Sequence, residues 1–256
     1  MSSKADGFIQ HANAILDIAK KRQVVLRLLG ALAFRIHCPS FSQLYGALGR
    51  EISDIDFAGY SSQSKDIVTV FAEAGYIQDA EAMHEVALSG RMVFRPKPQP
   101  IPHIDVFLDK LEMSHTIDFR GRLELDYPTL NLADMFLEKM QIVKINEKDI
   151  QDTIVLLREH EVSEVNDKNT IAVGHIANVL ADDWGFYYTV VSNLGKVAAA
   201  LKKYEALSSS DREVVAERIQ SILGDIEGTP KSTKWKLRAK IGTKKKWYRD
   251  IEEVKR

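Results

Sequence analysis

The spacing of apolar residues changes near residues 120–130, and this change constrains the fold more than any other feature. Before it, segments such as Ser53–Ala58 and His103–Phe107 alternate polar and apolar residues with a period of two, which is typical of strands with two different faces. After it, Leu130–Ile145 and Lys148–Glu159 have the spacing of amphipathic helices. We therefore predict an α+β protein, in which a small mixed sheet flanked by helices is followed by an all-helical C-terminal domain.

Shorter patterns predict further elements in the front half. Apolar spacing and the positions of glycine and proline predict helices at Phe8–Ala19, Ala31–His37 and Ser64–Ala74, and strands at Ala87–Arg95 and Ile101–Leu108. Val24–Leu29 is a short apolar run that suits either the end of the first helix or a buried strand. In the back half the segment around Asp182–Gly185 is predicted as a break between helices.

The length and composition are those of a folded globular protein. The chain has 256 residues, 45% of them apolar, which is enough for one large domain or two modest ones. We place a sheet-containing domain at residues 1–125, a helical domain at 126–228 and a basic tail at 229–256. A single cysteine excludes an internal disulfide, no apolar run reaches the roughly 20 residues of a membrane span, and the N-terminus lacks a signal-peptide pattern. These features predict a soluble cytoplasmic protein.

Three aspartates lie on the two segments with a period of two. Asp54 and Asp56 are two residues apart on one predicted strand, so their side chains project from the same face while Ile55 faces the core. Asp105 has similar apolar neighbours on a second strand, and adjacent strands would bring the three carboxylates together. Carboxylates so placed repel one another unless a cation lies between them, and hard oxygen ligands favour Mg²⁺ or Mn²⁺. The trio therefore predicts a site for two metal ions, as used in in-line phosphoryl transfer.

The alternative to a metal site is a solvated strand face, which is the more common outcome for an isolated Asp-x-Asp pair. Three features near the pair favour the metal site: a glycine segment at Gly30, a basic residue at Arg50 and the later Asp105. The histidines lack the spacing of metal ligands, although His103 shares the predicted strand face of Asp105.

The three motifs together resemble a known superfamily. Leu28–Ala33 holds an apolar residue and a glycine, Arg50–Phe57 holds Asp-apolar-Asp, and His103–Phe107 holds apolar-Asp-apolar. Their order and spacing are similar to those of the DNA polymerase β-like nucleotidyltransferases. The helix pair containing Leu132–Ile142 and Lys148–Asp152 is similar to that of abortive-infection toxin-like bacterial members.

The resemblance covers roughly residues 20–160 and implies a nucleotidyltransferase fold for the N-terminal domain. It implies the metal-dependent transfer of a nucleoside monophosphate from an NTP to an acceptor hydroxyl, with release of pyrophosphate. Asp54 and Asp56 would hold the metal ions that bind the triphosphate, and Asp105 would complete the acceptor-side metal site. The residues implied in nucleotide binding are Gly30, Ala31, Arg50, Lys139 and Lys148.

Some of these positions leave alternatives open. Ala31 stands where many members of the superfamily have glycine or serine, so it offers only a backbone N–H to a phosphate. Lys139 and Lys148 equally suit a helix surface. A structural charge network between the two halves, involving Lys148, Asp149 and Asp152, is a further alternative.

The tail at residues 229–256 differs in charge from the rest of the chain. It holds 11 basic and three acidic residues, a net charge of +8, whereas the whole chain has a net charge of −1. Trp235, Trp247 and Tyr248 are interleaved with the basic residues. Cations and aromatic rings together suit contact with RNA, whereas a solvated or flexible tail is the common alternative.

Three functions follow from these observations. The first is nucleotidyl transfer to an unidentified acceptor, which includes small hydroxyl compounds such as antibiotics. The second is a toxin of a toxin–antitoxin or phage-defence system that applies the same chemistry to tRNA or to a protein. The third is a catalytically silent nucleotide- or RNA-binding module, for which Ala31 is the one hint. The sequence identifies neither the NTP, nor the acceptor, nor the oligomeric state.

Overall fold

A computed structural model describes residues 4–49, 52, 54–79, 90–96, 103–165 and 167–250. The chain divides into two compact units. Unit 1 comprises Met1–His37, Glu51–Leu111 and Ile117–Asn131. Unit 2 comprises Cys38–Arg50, Glu112–Thr116 and Leu132–Arg256. The prediction of an α+β protein is confirmed, since unit 1 combines a small sheet with helices and unit 2 is mainly helical.

The described residues form ten α-helices and nine strands. The described helices are α1 (Lys4–Lys21), α2 (Gly30–His37), α3 (Ser42–Ala47), α4 (Ser64–Glu73), α5 (Leu132–Met140), α6 (Glu147–Glu159), α7 (Val173–Asp182), α8 (Trp184–Ala200), α9 (Ser209–Gly228) and α10 (Thr233–Ile241). The described strands are β1 (Leu26–Leu29), β2 (Ile55–Gly59), β3 (Tyr76–Gln78), β4 (Arg91–Pro96), β5 (Ile104–Leu108), β6 (Lys110–Glu112), β7 (Thr116–Asp118), β8 (Glu161–Ser163) and β9 (Thr170–Ala172). None of the described helices is long and apolar enough to cross a membrane.

Unit 1 is built on a five-stranded sheet with the strand order β1-β2-β5-β4-β3. β2 and β5 are parallel neighbours, and the other adjacent pairs are antiparallel. The predicted small mixed sheet is therefore confirmed. The ambiguous apolar run Val24–Leu29 contains strand β1 and does not extend the first helix. The predicted strands at Ala87–Arg95 and Ile101–Leu108 correspond to β4 and β5, although residues 80–89 and 97–102 lie outside the described residues.

The sheet has one apolar and one polar face, as the period-two patterns predict. On the apolar face, Phe71 of α4 stacks on Phe94 of β4 with ring centroids 4.1 Å apart, and it meets Phe57 of β2 edge-on at 5.8 Å. Such aromatic pairs contribute about 0.5–1.5 kcal/mol beyond the burial of their area. Because side chains alternate along a strand, Asp56 of β2 and Asp105 of β5 project from the opposite face.

The prediction of an all-helical C-terminal domain is wrong at one place. β8 and β9 pair in parallel, with Glu161 opposite Thr170. His160, which follows α6, has extended backbone angles, and its Nδ1 donates to the carbonyl of Asn169 at 3.0 Å, so the chain before β8 is tied to the chain before β9. The β-branched side chain of Ile171 also suits a strand.

The predicted helix Leu130–Ile145 is shorter in the structure, where α5 ends at Met140. The buried side chain of Asn193, on α8, donates from Nδ2 to the carbonyls of Met140 (3.0 Å) and Ile142 (2.8 Å). These bonds satisfy carbonyl groups that would otherwise need the next helical turn, so the chain can leave the helix there.

The basic tail is packed against α8 in unit 2 through Trp247. The Trp247 indole donates from Nε1 to Thr189 Oγ1 at 3.1 Å. A Cβ atom on Gly185 would lie 2.6 Å from the Trp247 carbonyl oxygen, so glycine permits this close approach. Residues 229–250 therefore contact the rest of unit 2, and residues 251–256 lie outside the described residues.

A buried histidine, His115, contacts the same Thr189 hydroxyl as the tail residue Trp247. His115 Nε2 lies 2.8 Å from Thr189 Oγ1, and the His115 ring stacks on Phe186 with centroids 4.9 Å apart. Burial lowers the pKa of His115 to about 4, so the ring is neutral at pH 7. Since the Thr189 hydroxyl donates to the Gly185 carbonyl, it accepts hydrogen bonds from both His115 and Trp247.

Candidate functional site

The polar face of the sheet carries two of the three predicted aspartates. Asp56 and Asp105 occupy facing positions on the parallel strands β2 and β5. Facing residues of a parallel pair project from the same side of the sheet. Asp54 lies immediately before β2, two residues ahead of Asp56. Asp105 is almost fully buried, whereas Asp54 and Asp56 are half-buried and accessible to solvent.

The glycine segment lies beside this pair because β1 is the neighbour of β2. Leu29, the last residue of β1, faces Asp56 in the strand register, and Gly30 follows it. Gly30 has a φ angle of +69°, and a Cβ atom there would lie 2.6 Å from Asp56 Oδ2. Glycine is therefore required twice, by its backbone conformation and by the closeness of the carboxylate. Ala31 comes next in α2 and is buried.

Sequence reasoning missed Arg91, which lies at the start of β4. Its Nη2 donates to Asp105 Oδ2 at 2.6 Å, and His103 Nε2 lies 4.0 Å from the same oxygen. The β4–β5 register places Arg91 opposite Phe107, on the side of the sheet that carries Asp105. Asp105 therefore has a positively charged partner within the protein itself. An arginine in a period-two segment is a weak signal, and it becomes informative only when the strand register is known.

The three aspartates fit a divalent cation by their chemistry, and they differ from a ready-made site in one respect. Among the described residues, no group of three His, Cys, Asp or Glu side chains is close enough together to hold a metal ion. The carboxylates of Asp56 and Asp105 are the hard oxygen donors that Mg²⁺ and Mn²⁺ prefer, and Gly30, which has no side chain, lets the Asp56 carboxylate lie against its backbone. A cation bound by Asp105 would have to compete with the Arg91 guanidinium.

We expect replacement of Arg91 with methionine to strengthen the binding of Mn²⁺ about tenfold, because the competing positive charge at Asp105 is removed. Without metal, the variant should lose about 3 kcal/mol of unfolding free energy, since a buried carboxylate loses its ion-pair partner. Mn²⁺ should restore part of this loss. The loss of the electron paramagnetic resonance signal of free Mn²⁺ measures the affinity, and denaturant unfolding measures the stability.

Arg95→Met is the matched control for this prediction. Arg95 lies on the same strand and pairs with Asp79 through an exposed side chain, so its loss should cost about 1 kcal/mol or less and leave Mn²⁺ binding unchanged. If Arg91→Met and the wild type bind Mn²⁺ equally, Arg91 does not compete with a cation and Asp105 is not a ligand.

Lys139, predicted to neutralise phosphate charge, lies buried in unit 2 among carboxylates. Its Nζ lies 3.3 Å from Glu138 Oε1, 3.5 Å from Asp149 Oδ1 and 3.4 Å from Asp152 Oδ2. Burial raises the pKa of Asp149, although the nearby Lys139 acts in the opposite direction. These contacts are those of a structural charge network, and all four residues belong to the same unit.

Two further basic residues, Lys148 and Arg50, are predicted to bind the nucleotide. Lys148 is exposed on α6. Arg50 lies outside the described residues, so its role in nucleotide binding stays a prediction.

Comparison with known proteins adds no relative of this chain. No family model matches it, and neither a curated protein nor a solved structure is similar to it. The resemblance to the nucleotidyltransferases therefore stays a prediction.

Proposed function

We propose that the chain is a metal-dependent nucleotidyltransferase that moves a nucleoside monophosphate from an NTP to an acceptor hydroxyl and releases pyrophosphate. One observation carries the proposal. Asp56 and Asp105 face each other on parallel strands, and Gly30 brings its backbone against the Asp56 carboxylate. Carboxylates on adjacent strands beside a glycine that opens a helix suit the binding of a triphosphate with its cations.

Each residue has a definite task in the proposed reaction. Asp54 and Asp56 would hold Mg²⁺ or Mn²⁺ with the triphosphate, and the bound ions would supply positive charge to the phosphate oxygens. Asp105 would complete the metal site on the acceptor side, and it would take up the proton of the acceptor hydroxyl. The acceptor oxygen then attacks the α-phosphorus in line, and pyrophosphate leaves. Arg91, once separated from Asp105, would offer its guanidinium to phosphate oxygens.

The first test is the binding of each of the four NTPs with Mg²⁺, measured by calorimetry. We expect one NTP to bind only in the presence of the metal, and the Asp54→Asn/Asp56→Asn variant to weaken that binding by about 100-fold or more, because the ligands of the metal are lost. Asp17→Asn, which changes an exposed aspartate on α1, is the control and should bind like the wild type. Failure of every NTP to bind under all metal conditions would contradict the proposal.

A catalytically silent binding module is the second candidate. The ion pair between Arg91 and Asp105, and the lack of a three-ligand metal group among the described residues, favour it. Such a module would bind an NTP without metal and would tolerate Asp54→Asn/Asp56→Asn. The same calorimetric series therefore separates the two candidates. Use of the transferase chemistry on tRNA or on a protein, as in a toxin, concerns the acceptor and stays a prediction.

A further inference from the structure

The three tryptophans of the chain line one pocket in unit 2. The pocket has a volume of about 210 Å³ and lies where α10 meets the start of α8. Its lining residues are Asp182, Asp183, Trp184, Gly185, Lys234, Trp235, Arg238 and Trp247. This concentration of indole rings in one small pocket indicates a site for a flat, polarisable ligand.

One wall of the pocket is held rigidly. The Trp184 ring stacks on Tyr188 with centroids 5.2 Å apart, and the Arg238 guanidinium lies 4.7 Å from the Trp184 ring centroid. Arg238 is fixed in turn, because it donates to the carbonyls of Gly242 and Lys245 at 2.7 Å each. Since Arg238 already occupies the cation–π position on Trp184, this wall does not require a cationic ligand.

A second wall of the pocket is aromatic. Trp235 meets Tyr187 edge-on at 5.1 Å, and its indole Nε1 is buried, so Trp235 offers ring surface rather than its N–H to a ligand in the pocket.

The carboxylates of the pocket are already engaged. Asp183 caps α8 by accepting a hydrogen bond from the Phe186 N–H at 3.0 Å. Asp182 Oδ2 lies 3.8 Å from Lys234 Nζ. Neither carboxylate therefore gives the pocket a net preference for a positively charged ligand.

Exposed lysines lie at the pocket and in the turn after α10. Lys234 lines the pocket, and Lys244 and Lys245 belong to the turn whose Gly242 and Lys245 carbonyls accept hydrogen bonds from Arg238; all three lysines are exposed. Residues 229–250 hold nine basic residues and one acidic residue, a net charge of +8, within a chain of net charge −1. A run of phosphate groups is the chemistry that complements such a group of lysines.

We propose that this Trp–Lys surface, formed by Trp184, Trp235, Trp247, Lys234, Lys244 and Lys245, binds single-stranded nucleic acid. One unstacked base enters the pocket, where it contacts the indole rings, and the backbone phosphates follow the lysines. A duplex would offer the same phosphates but no free base, so the pocket favours a single strand. The inference is independent of nucleotidyl transfer, because every residue of this surface belongs to unit 2.

Intrinsic tryptophan fluorescence tests the inference directly, because every tryptophan of the chain lines the pocket. The full-length protein is titrated with uridine and thymidine oligomers of about 12 nucleotides, which lies within known site sizes for single strands. A duplex and an inorganic polyphosphate of matched charge are the comparison ligands. We expect saturable quenching by the oligomers and little quenching by the duplex or polyphosphate. The uridine and thymidine arms show whether the strand is RNA or DNA.

Variants of the lysines and of Trp235 test the two parts of the surface separately. Lys234→Glu/Lys244→Glu/Lys245→Glu should weaken oligomer binding at least about tenfold and lower its salt dependence. The matched control, Lys65→Glu/Lys168→Glu/Lys202→Glu, reverses the same number of exposed lysines elsewhere and should bind like the wild type. Trp235→Leu should weaken binding by about tenfold through the loss of base stacking. Trp235→Phe keeps a ring in place and should retain most of the binding that Trp235→Leu loses.

Two results would overturn the inference. Polyphosphate that binds and quenches as strongly as the oligomers would show that the lysines attract any polyanion and that the pocket takes no base. Equal oligomer binding by the wild type and the lysine variant would show that the surface is not a nucleic-acid site. A circular dichroism melt of each variant establishes that it is folded.

Discussion

We expect the Lys139→Met variant to lose about 3–5 kcal/mol of unfolding free energy, because it leaves buried carboxylates without the ammonium group between them. Lys139 is 6% exposed, and its partners Asp149 and Asp152 are 6% and 0% exposed. Methionine keeps most of the apolar stem of lysine, so the loss of packing is small and the loss of charge dominates. Denaturant unfolding of the wild type and the variant at pH 7 measures the effect.

Lys148→Met is the matched control, since Lys148 is exposed on α6 and its loss should change the stability by less than about 0.5 kcal/mol. Both lysines are predicted to bind phosphate, so the pair of variants compares like with like. If Lys139→Met were as stable as Lys148→Met, the buried network would not be structural, and the phosphate-binding role of Lys139 would gain support.

The stability of the Lys139→Met variant should change with pH in a definite direction. Burial raises the pKa of Asp149 in the folded state, so Asp149 stabilises the fold at low pH, and this contribution is lost as the pH rises through the folded pKa. Removing Lys139 takes away the charge that lowers this pKa. The Lys139→Met variant should therefore recover stability relative to the wild type as the pH is lowered from 7 toward the raised pKa, and Asp149→Asn should restore part of the loss at pH 7.

The sequence is informative where the chain's own pattern determines the structure. The period-two segments around Asp56 and Asp105 correctly predict strands with one apolar and one charged face, because burial on one side of a sheet imposes that alternation. The break at Asp183 is also predicted correctly: its side chain caps α8, and a cap is a local signal.

The features that sequence reasoning misses depend on contacts between distant residues. α5 ends early because Asn193, far along the chain, bonds the carbonyls at its end. Arg91 reaches Asp105 only through the register of β4 on β5. Lys139 has the same helical pattern as an exposed lysine, and it is the packing of α6 against α5 that surrounds it with carboxylates. Periodicity describes one element at a time, so it contains none of these pairings.

We expect Gly30→Ala to cost about 2–5 kcal/mol of unfolding free energy. A φ angle of +69° costs alanine about 1–2 kcal/mol, and its Cβ would lie 2.6 Å from Asp56 Oδ2, which adds about 1–3 kcal/mol of overpacking unless the carboxylate moves. Gly121→Ala separates these two contributions. Gly121 has the same φ angle of +69°, and a Cβ atom there would meet no atom within 4 Å, so only the backbone cost of about 1–2 kcal/mol should remain.

A double-mutant cycle with Asp56→Ala then tests whether position 30 requires glycine because the Asp56 carboxylate lies so close. In the Asp56→Ala background, the cost of Gly30→Ala should fall to that of Gly121→Ala, because the atom that a new Cβ meets is gone. An unchanged cost would mean that position 30 requires glycine only because of its backbone conformation. If the costs are coupled, any side chain at position 30 displaces the Asp56 carboxylate, so Gly30→Ala should also weaken metal-dependent NTP binding while Gly121→Ala leaves it intact. The glycine would then be part of the candidate site, because it sets the position of a carboxylate that the proposed chemistry requires.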